Sequence, residues 1–358
     1  NDVDVEVLTT CATDHLSWSN ELPPGVSNDG RILVHRFEVE KMRAMRAFNR
    51  LSDSVLGVPQ DVVAEEHWIS EQGPLAPGLL RAIVARSHEF DAFIFFTYLY
   101  LPAVWGIPLV KNKAIVVPTA HNELPIEFHL YSDVFETPRV LLCNTPEEEA
   151  LIRHRFAGAV RSRVVGVGVE APAVQPENFR DQFQIRGPYL LYLGRLDEGK
   201  GVNDLIAQHQ ELVKRFHDAP WLVLAGAGEL KPRGSRVISV GRLDDQQKWD
   251  ALSGAMAVAV PSRYESLSLV TLEAFAVGTP VIGNAACEVV AGQLHRSGGG
   301  TAIDFSVSSA FAEAVRNVGD NRHIMSERAK QYARSHQWEN VISIYLEEIG
   351  LIQKDGVL

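Results

Sequence analysis

The chain has 358 residues, 46% of them hydrophobic and 22% charged, enough for two to three domains with real cores and too apolar for a disordered chain or a disulfide miniprotein. Its 34 Lys+Arg against 45 Asp+Glu give a formal net charge of -11, which argues against nucleic-acid binding, whose usual footprint is a basic face. The acidity is uneven: residues 1–180 hold 16 basic and 24 acidic side chains, residues 181–358 hold 18 and 21, so the second half is the better host for an anionic ligand.

Cys11, Cys143 and Cys287 are far apart and in no CxxC arrangement, which reads as three reduced thiols in a reducing, cytoplasmic setting rather than a disulfide framework or a zinc site. The chain opens on a strand pattern, VEVLTT. A basic helix is expected over KMRAMRAFNR, placing Lys41, Arg43, Arg46 and Arg50 around Met42, Met45 and Phe48. Such a face could touch a membrane surface or an anionic lipid-linked acceptor, although in an acidic half a solvated face is the plainer reading. Residues 92–110 run 19 positions without a charge and must be weighed as a membrane span. Pro102, Gly106 and Pro108 interrupt the stretch, and its front end AFIFF reads better as a buried strand entering a loop.

Strand patterns AIVVPT and VLLCNT follow, then a helix over 146–156 with Thr145 as N-cap and three glutamates in its first turn. Over 169–187 the pattern lapses, and this is the linker candidate. Beyond it YLLYLG, WLVLAG, VISVG, MAVAVPS and PVIG read as strands, with a helix over 244–254. Alternating strands and helices mean parallel sheets covered on both faces. The expectation is an α/β protein of two doubly wound domains, 1–168 and 188–335, joined by the 169–187 linker, with residues 336–358 forming a helix that returns to the first domain. Open parallel sheets bind ligands at the carboxyl ends of their strands, so chemistry belongs on post-strand loops facing a cleft.

Two loops carry chemical signals. After the strand at 189–193 comes GRLDEGKG, residues 194–201, whose glycines permit a tight turn while Arg195 and Lys200 offer cations suited to phosphate. Taken alone it is equally an ordinary strand-to-helix loop in which Arg195 and Lys200 pair with Asp197 and Glu198. The second signal is SRYESLSLVTLEAFAVGTPVI. Glu265 and Glu273 stand eight apart around a helix start near 266–268, and the amides of Leu267, Ser268 and Leu269 between them are natural donors to phosphate oxygens. A carboxylate, an amide nest and a second carboxylate match a ligand with sugar, diphosphate and ribose in series. The plainer alternative is a helix with an acidic start and a surface glutamate.

In order and spacing, GRLDEGKG, the Gly226 and Gly228 of LAGAGEL, VGRLDD, the E-x(7)-E block ending in GTPVI and the closing QWENVISIYLEEI resemble the retaining GT-B glycosyltransferases of family 4, glycosyl transferases group 1. QGPLAPGLLRAI, FIFFTYLYLP and VPTAHNELP in the first half resemble a bacterial subgroup of the same family. The resemblance implies the GT-B fold, two Rossmann-like domains facing a cleft, and a nucleotide-sugar donor of UDP or GDP type. It implies no cofactor and no metal. Arg195 and Lys200 would neutralise the diphosphate beside the Leu267, Ser268 and Leu269 amides, Glu273 would hold the ribose, and the backbone at Arg242 and Leu243 would meet the base. Glu265 and His121 would hold the donor sugar. Asn122 stands where an Asp is expected, and Ser268 where many members have Gly. The acceptor would be a glycan, a lipid-linked molecule or a small molecule, with the enzyme in the cytoplasm or peripheral at the inner membrane face. The oligomeric state is not readable.

The family begins one strand and one Gly-rich loop earlier than this chain does, so the first acceptor-side elements are expected to be missing. Two rival readings follow: a GT-B sugar-nucleotide epimerase, and a non-catalytic homologue that binds the donor. Other motifs fail. GVGVEA at Gly166 meets Pro172 and Pro176 instead of a helix, Asp2-Val3-Asp4 precedes a strand at the terminus, Gly298 to Gly300 is a plain turn, and HExxH, Walker A and G-x-S-x-G are absent.

Overall fold

The computed structural model describes residues 3–59 and 61–355; Asp2 of the Asp2-Val3-Asp4 run lies outside them. They group into two compact units, one made of the residues up to Val165 and those from Tyr345 on, the other of Gly166–Ile344.

In the first unit β1 (Glu6–Thr10), β2 (Gly25–Asp29) and β3 (Ile32–Phe37) form a three-stranded sheet of order β1-β3-β2. β1 runs parallel to β3, but β2 pairs with β3 antiparallel, in register Asp29 with Ile32. This hairpin departs from the all-parallel expectation. Its signal was Gly30, the first residue of the two-residue loop Gly30-Arg31, which takes φ +59°. A separate parallel sheet orders β4 (Phe93–Phe96), β5 (Ala114–Val117), β6 (Val140–Cys143) and β7 (Ser162–Val164) in sequence. Every residue of β5 and β6 is buried, the unbroken apolar pattern of strands covered on both faces.

The uncharged stretch 92–110 resolves into β4, a short helix Leu101–Gly106 and a 3-10 turn. No helix among the described residues is long and apolar enough to cross a membrane. The basic helix starts later than its charges suggested, at Met45 and running to Val55, so Lys41 and Arg43 lie outside it. Arg43 is withdrawn from any solvated face: it donates to the Gln72 carbonyl through Nε at 3.1 Å and lies over the rings of Trp18 and Phe48. Desolvation holds its guanidinium below the usual value.

The second unit is one six-stranded parallel sheet. β8 (Tyr189–Leu193), β9 (Trp221–Ala225), β10 (Val237–Gly241), β11 (Ala257–Val260), β12 (Val281–Asn284) and β13 (Gly300–Ile303) stand in the order β10-β9-β8-β11-β12-β13. Alternation along β8 sends Tyr189 and Leu191 into one core and Leu190 and Tyr192 into another, so helices cover both faces. The chain moves outward from β8 to β10, then returns to the other side of β8 with β11. That reversal makes the crevice between the β8 and β11 loops the topological switch point.

The 169–187 segment is not an irregular linker. It holds the helix Pro176–Gln182, whose Phe179 is buried against Phe183 and Tyr189, and the Gln175 amide donates to Asp250 Oδ1 at 2.7 Å. Prolines at its ends concealed it, since Pro176 occupies the first helical turn, where a missing N–H costs nothing. Gly168 lies flat on Trp338: a Cβ there would sit 2.3 Å from the indole. The last helix, Trp338–Asp355, begins in the second unit and belongs to the first from Tyr345 onward. There Ile352 packs with Ile115, Val117 and Leu142, and the fully buried Glu348 pairs with Arg161 and, at 2.9 Å, with Arg163.

Candidate functional site

The geometry begins with two loops that nearly touch. The Gly194 amide donates to the Ala225 carbonyl, and the Leu196 amide to that of Ala227, which lays the β8 loop along the β9 loop. A Cβ on Gly226 would sit 1.8 Å from the Gly194 oxygen, and one on Gly228 2.2 Å from the Leu196 oxygen. Only glycine fits such an approach. Tyr192 Oη donates to the Arg195 carbonyl at 2.6 Å, and burial raises that phenol well above its usual pKa. Asp197 caps the short turn Glu198–Lys200 by accepting from the Lys200 amide at 3.0 Å, and Gly201, at φ +70°, delivers the chain into the helix Val202–Arg215.

This scaffold aims Lys200 across the switch point. Its Nζ lies 2.8 Å from Glu265 Oε1, and both side chains are about three-quarters buried, at 27% and 20% exposure. In place of Glu198, its partner in the plainer loop reading, Lys200 thus pairs with the first glutamate of the E-x(7)-E block. Arg195 remains 68% exposed, 3.5 Å from Asp197.

The β11 loop carries the second set. The helix runs Leu269–Ala276, starting later than the 266–268 expected, with Ser268 as its N-cap at φ +58°. Serine therefore occupies a left-handed position that glycine would take without strain. Its carbonyl accepts from the Thr271 amide at 3.0 Å, and its Oγ lies 2.8 Å from Thr271 Oγ1. The amides of Leu267, Ser268 and Leu269 meet no backbone acceptor among the described residues of this unit, so they stay available as donors. Glu273, about one turn inside, is 16% exposed and pairs with Lys248 at 2.8 Å. Lys248 follows the capping box of the helix Asp245–Gly254, formed by Asp244 and Gln247, and lies 5.0 Å from the Trp249 ring centroid. Arg242 is exposed and Leu243 half-buried in the turn between β10 and that cap.

His121 belongs to the other unit, in the loop after β5. Its Nε2 lies 3.8 Å from Glu123 Oε1, which accepts from the buried Tyr98 hydroxyl at 2.7 Å. Thr119 in the same loop sits at φ +54°, and the Ala120 amide donates to the buried Glu148 carboxylate at 2.5 Å. Glu148 also takes the Asn144 amide at 2.5 Å. Burial pushes its carboxyl up to about 8, against the downward pull of the amide bonds.

Lys248 went unnoticed in the sequence, and Glu148 was read only as one of three glutamates in a helix's first turn. Lys248 meets a partner 25 positions on, and Glu148 reaches back to Ala120; neither pairing has a local spacing signal.

Residues 175–336 match the family described as Glycosyl transferases group 1. This segment belongs to that family. Over 269 residues the chain is 31% identical to glycogen synthase of Mycobacterium tuberculosis, covering 68% of the chain but only 62% of that relative's length. Among solved structures it is similar to sucrose-phosphate synthase from Thermosynechococcus elongatus, with TM-score 0.71 and 17% identity over 98% of this chain and 89% of that one. It is also similar to Anabaena HepE in complex with UDP and glucose, with TM-score 0.66 and 14% identity over 98% and 100%. The group 1 segment and these likenesses give the fold as GT-B, with two Rossmann-like domains.

Proposed function

We propose that the chain is a glycosyltransferase that moves a sugar from a nucleoside-diphosphate donor to an acceptor hydroxyl, with retention at the anomeric carbon and without a metal. The observation that carries this reading is the Lys200–Glu265 pair at the switch point, beside helix-start amides that meet no backbone acceptor among the described residues of this unit, in a group 1 domain. In the reaction the bond from the anomeric carbon to the phosphate oxygen breaks, a bond to the acceptor oxygen forms, and the acceptor proton leaves with the departing diphosphate. Negative charge grows on that leaving group. Preorganised cations and amides stabilise it more in the transition state than in the ground state, which is where rate enhancement comes from.

Arg195 and Lys200 supply the cations, and the amides at Leu267, Ser268 and Leu269 supply the nest. Glu265 takes donor-sugar hydroxyls while Lys200 fixes its other oxygen, and Glu273, held by Lys248, takes the ribose diol. The backbone at Arg242 and Leu243 meets the base. His121 contributes a polar contact to the donor sugar, on a loop that Glu148 and Thr119 hold in shape. The acceptor is a glycan, a lipid-linked molecule or a small molecule; glycogen synthase, among the relatives, acts on the first class by its name. The exposed Arg46 and Arg50 are the candidates for a peripheral contact with an anionic surface.

Thermal-shift binding of UDP, GDP, ADP, dTDP and CDP tests the reading, with Lys200→Ala as control. One nucleotide at 100 times its dissociation constant stabilises the wild type by about 2.7 kcal/mol. Lys200→Ala is expected to lose that shift and on the order of 10²-fold in turnover. No shift with any nucleotide, or equal shifts in both proteins, would overturn the assignment.

A further inference from the structure

Gln293 lies on the helix Glu288–Ser297 and is 1% exposed. Its Nε2 donates to the Leu267 carbonyl at 2.6 Å, while its Oε1 is buried with no partner among the described residues. The opposite amide orientation would set oxygen against oxygen, so the donor orientation is the one adopted. A buried glutamine that leaves its own acceptor unpaired is unusual, and the Leu267 bond is what it obtains in exchange.

The Leu267–Ser268 peptide is not among the cis bonds of the chain. In a trans peptide the carbonyl and the following N–H point in opposite directions. Pinning the Leu267 oxygen inward on Gln293 therefore turns the Ser268 N–H outward, away from the core. The same restraint holds Ser268 at φ +58°, a conformation that a serine leaves readily once the preceding peptide plane can rotate. Ser268 Oγ and Thr271 Oγ1 bond each other and leave the peptide plane unrestrained.

We infer that Gln293 is a positioning residue that locks the Leu267–Ser268 peptide so that the Ser268 and Leu269 amides face the donor's diphosphate. The inference rests on the nucleotide-sugar reading above and names one more residue for it. Gln293 itself touches no ligand. Its effect is confined to the phosphates, because the ribose and base meet Glu273 and the turn after β10.

Gln293→Met keeps length and volume and removes the donor. Calorimetric titration compares wild type and variant with the nucleoside diphosphate that the wild type binds and with the matching free nucleoside. The variant is expected to bind the diphosphate on the order of 10-fold more weakly, the size of a lost bond to a charged group, and the nucleoside with unchanged affinity. Unchanged diphosphate binding, or equal weakening of both probes, would overturn the inference. Should Gln293→Met fail to fold, Gln293→Asn, one methylene short of the Leu267 oxygen, carries the same expectation. If the wild type binds none of UDP, GDP, ADP, dTDP or CDP, the donor reading itself has failed, a result separable from a variant that matches a binding wild type.

Discussion

The two units hold their candidate residues in different ways. In Gly166–Ile344 one continuous parallel sheet sends the β8, β9, β10 and β11 loops to the same edge, and backbone contacts between loops set their spacing. In the first unit the strands fall into separate sheets of three and four, and the His121 loop, besides the Tyr98 amide that donates to the Pro118 carbonyl, is held by buried side chains, Glu148 and Tyr98. A site built on backbone approach tolerates no added atom. One built on buried polar side chains is sensitive to protonation and to the loss of a partner.

The largest expected effect breaks the backbone rule. Gly226→Ala places a Cβ 1.8 Å from the Gly194 oxygen, and a loss of about 3 kcal/mol or more is expected, together with nucleotide binding. Gly30→Ala, in the hairpin of the first unit, meets nothing within 4 Å, so only left-handed strain of about 1 kcal/mol remains. Urea denaturation of both variants would expose the contrast, and equal losses would sink it.

Next comes the first unit's dependence on side-chain pairing. Replacing both Arg161 and Arg163 by Ala leaves Glu348 buried without a cation, and about 2 kcal/mol should be lost, less than for a fully buried pair because both arginines are partly exposed. Hydrogen exchange should rise in the segment from Tyr345 onward while the β8 to β13 sheet keeps its protection. Loosening of both together would show that the last helix serves the second unit equally.

The smallest effect sharpens the comparison through pH. Glu148 titrates near 8 in the folded chain against 4.5 as its reference, so the folded state binds this proton more tightly than the unfolded one. Its contribution to stability is full below about pH 4.5 and is lost as pH rises through about 8. Relative to Glu148→Gln, the wild type should weaken by on the order of 1 kcal/mol between about pH 7 and about 8, read from urea midpoints. Parallel pH curves would mean that the Ala120 and Asn144 amides keep the carboxylate ionised throughout.

What could be read in advance was local. Thr145 and Asp244 declare their helices because a cap bond closes within three residues, and the runs at β5, β6 and β8 declare buried strands because both faces need apolar side chains. The helix Pro176–Gln182 was lost among prolines, and Lys41 and Arg43 were drawn into a helix they precede, since charge periodicity does not mark a helix start. Gly30 of the Gly30-Arg31 loop was a hairpin signal available in the chain and passed over for the alternating pattern around it.

Residue order by itself determined the α/β alternation, the glycines between strands and helices, and the spacing of Glu265 and Glu273, because these depend on bonds and faces within a few residues. Only the tertiary structure decided that Lys200 meets Glu265 rather than Glu198, that Lys248 meets Glu273, and that Gln293 holds Leu267. Each of these contacts joins segments 25 to 65 positions apart, brought together by the order of strands in the sheet. Strand order is settled by long-range burial of both sheet faces, a cooperative outcome that no single segment encodes.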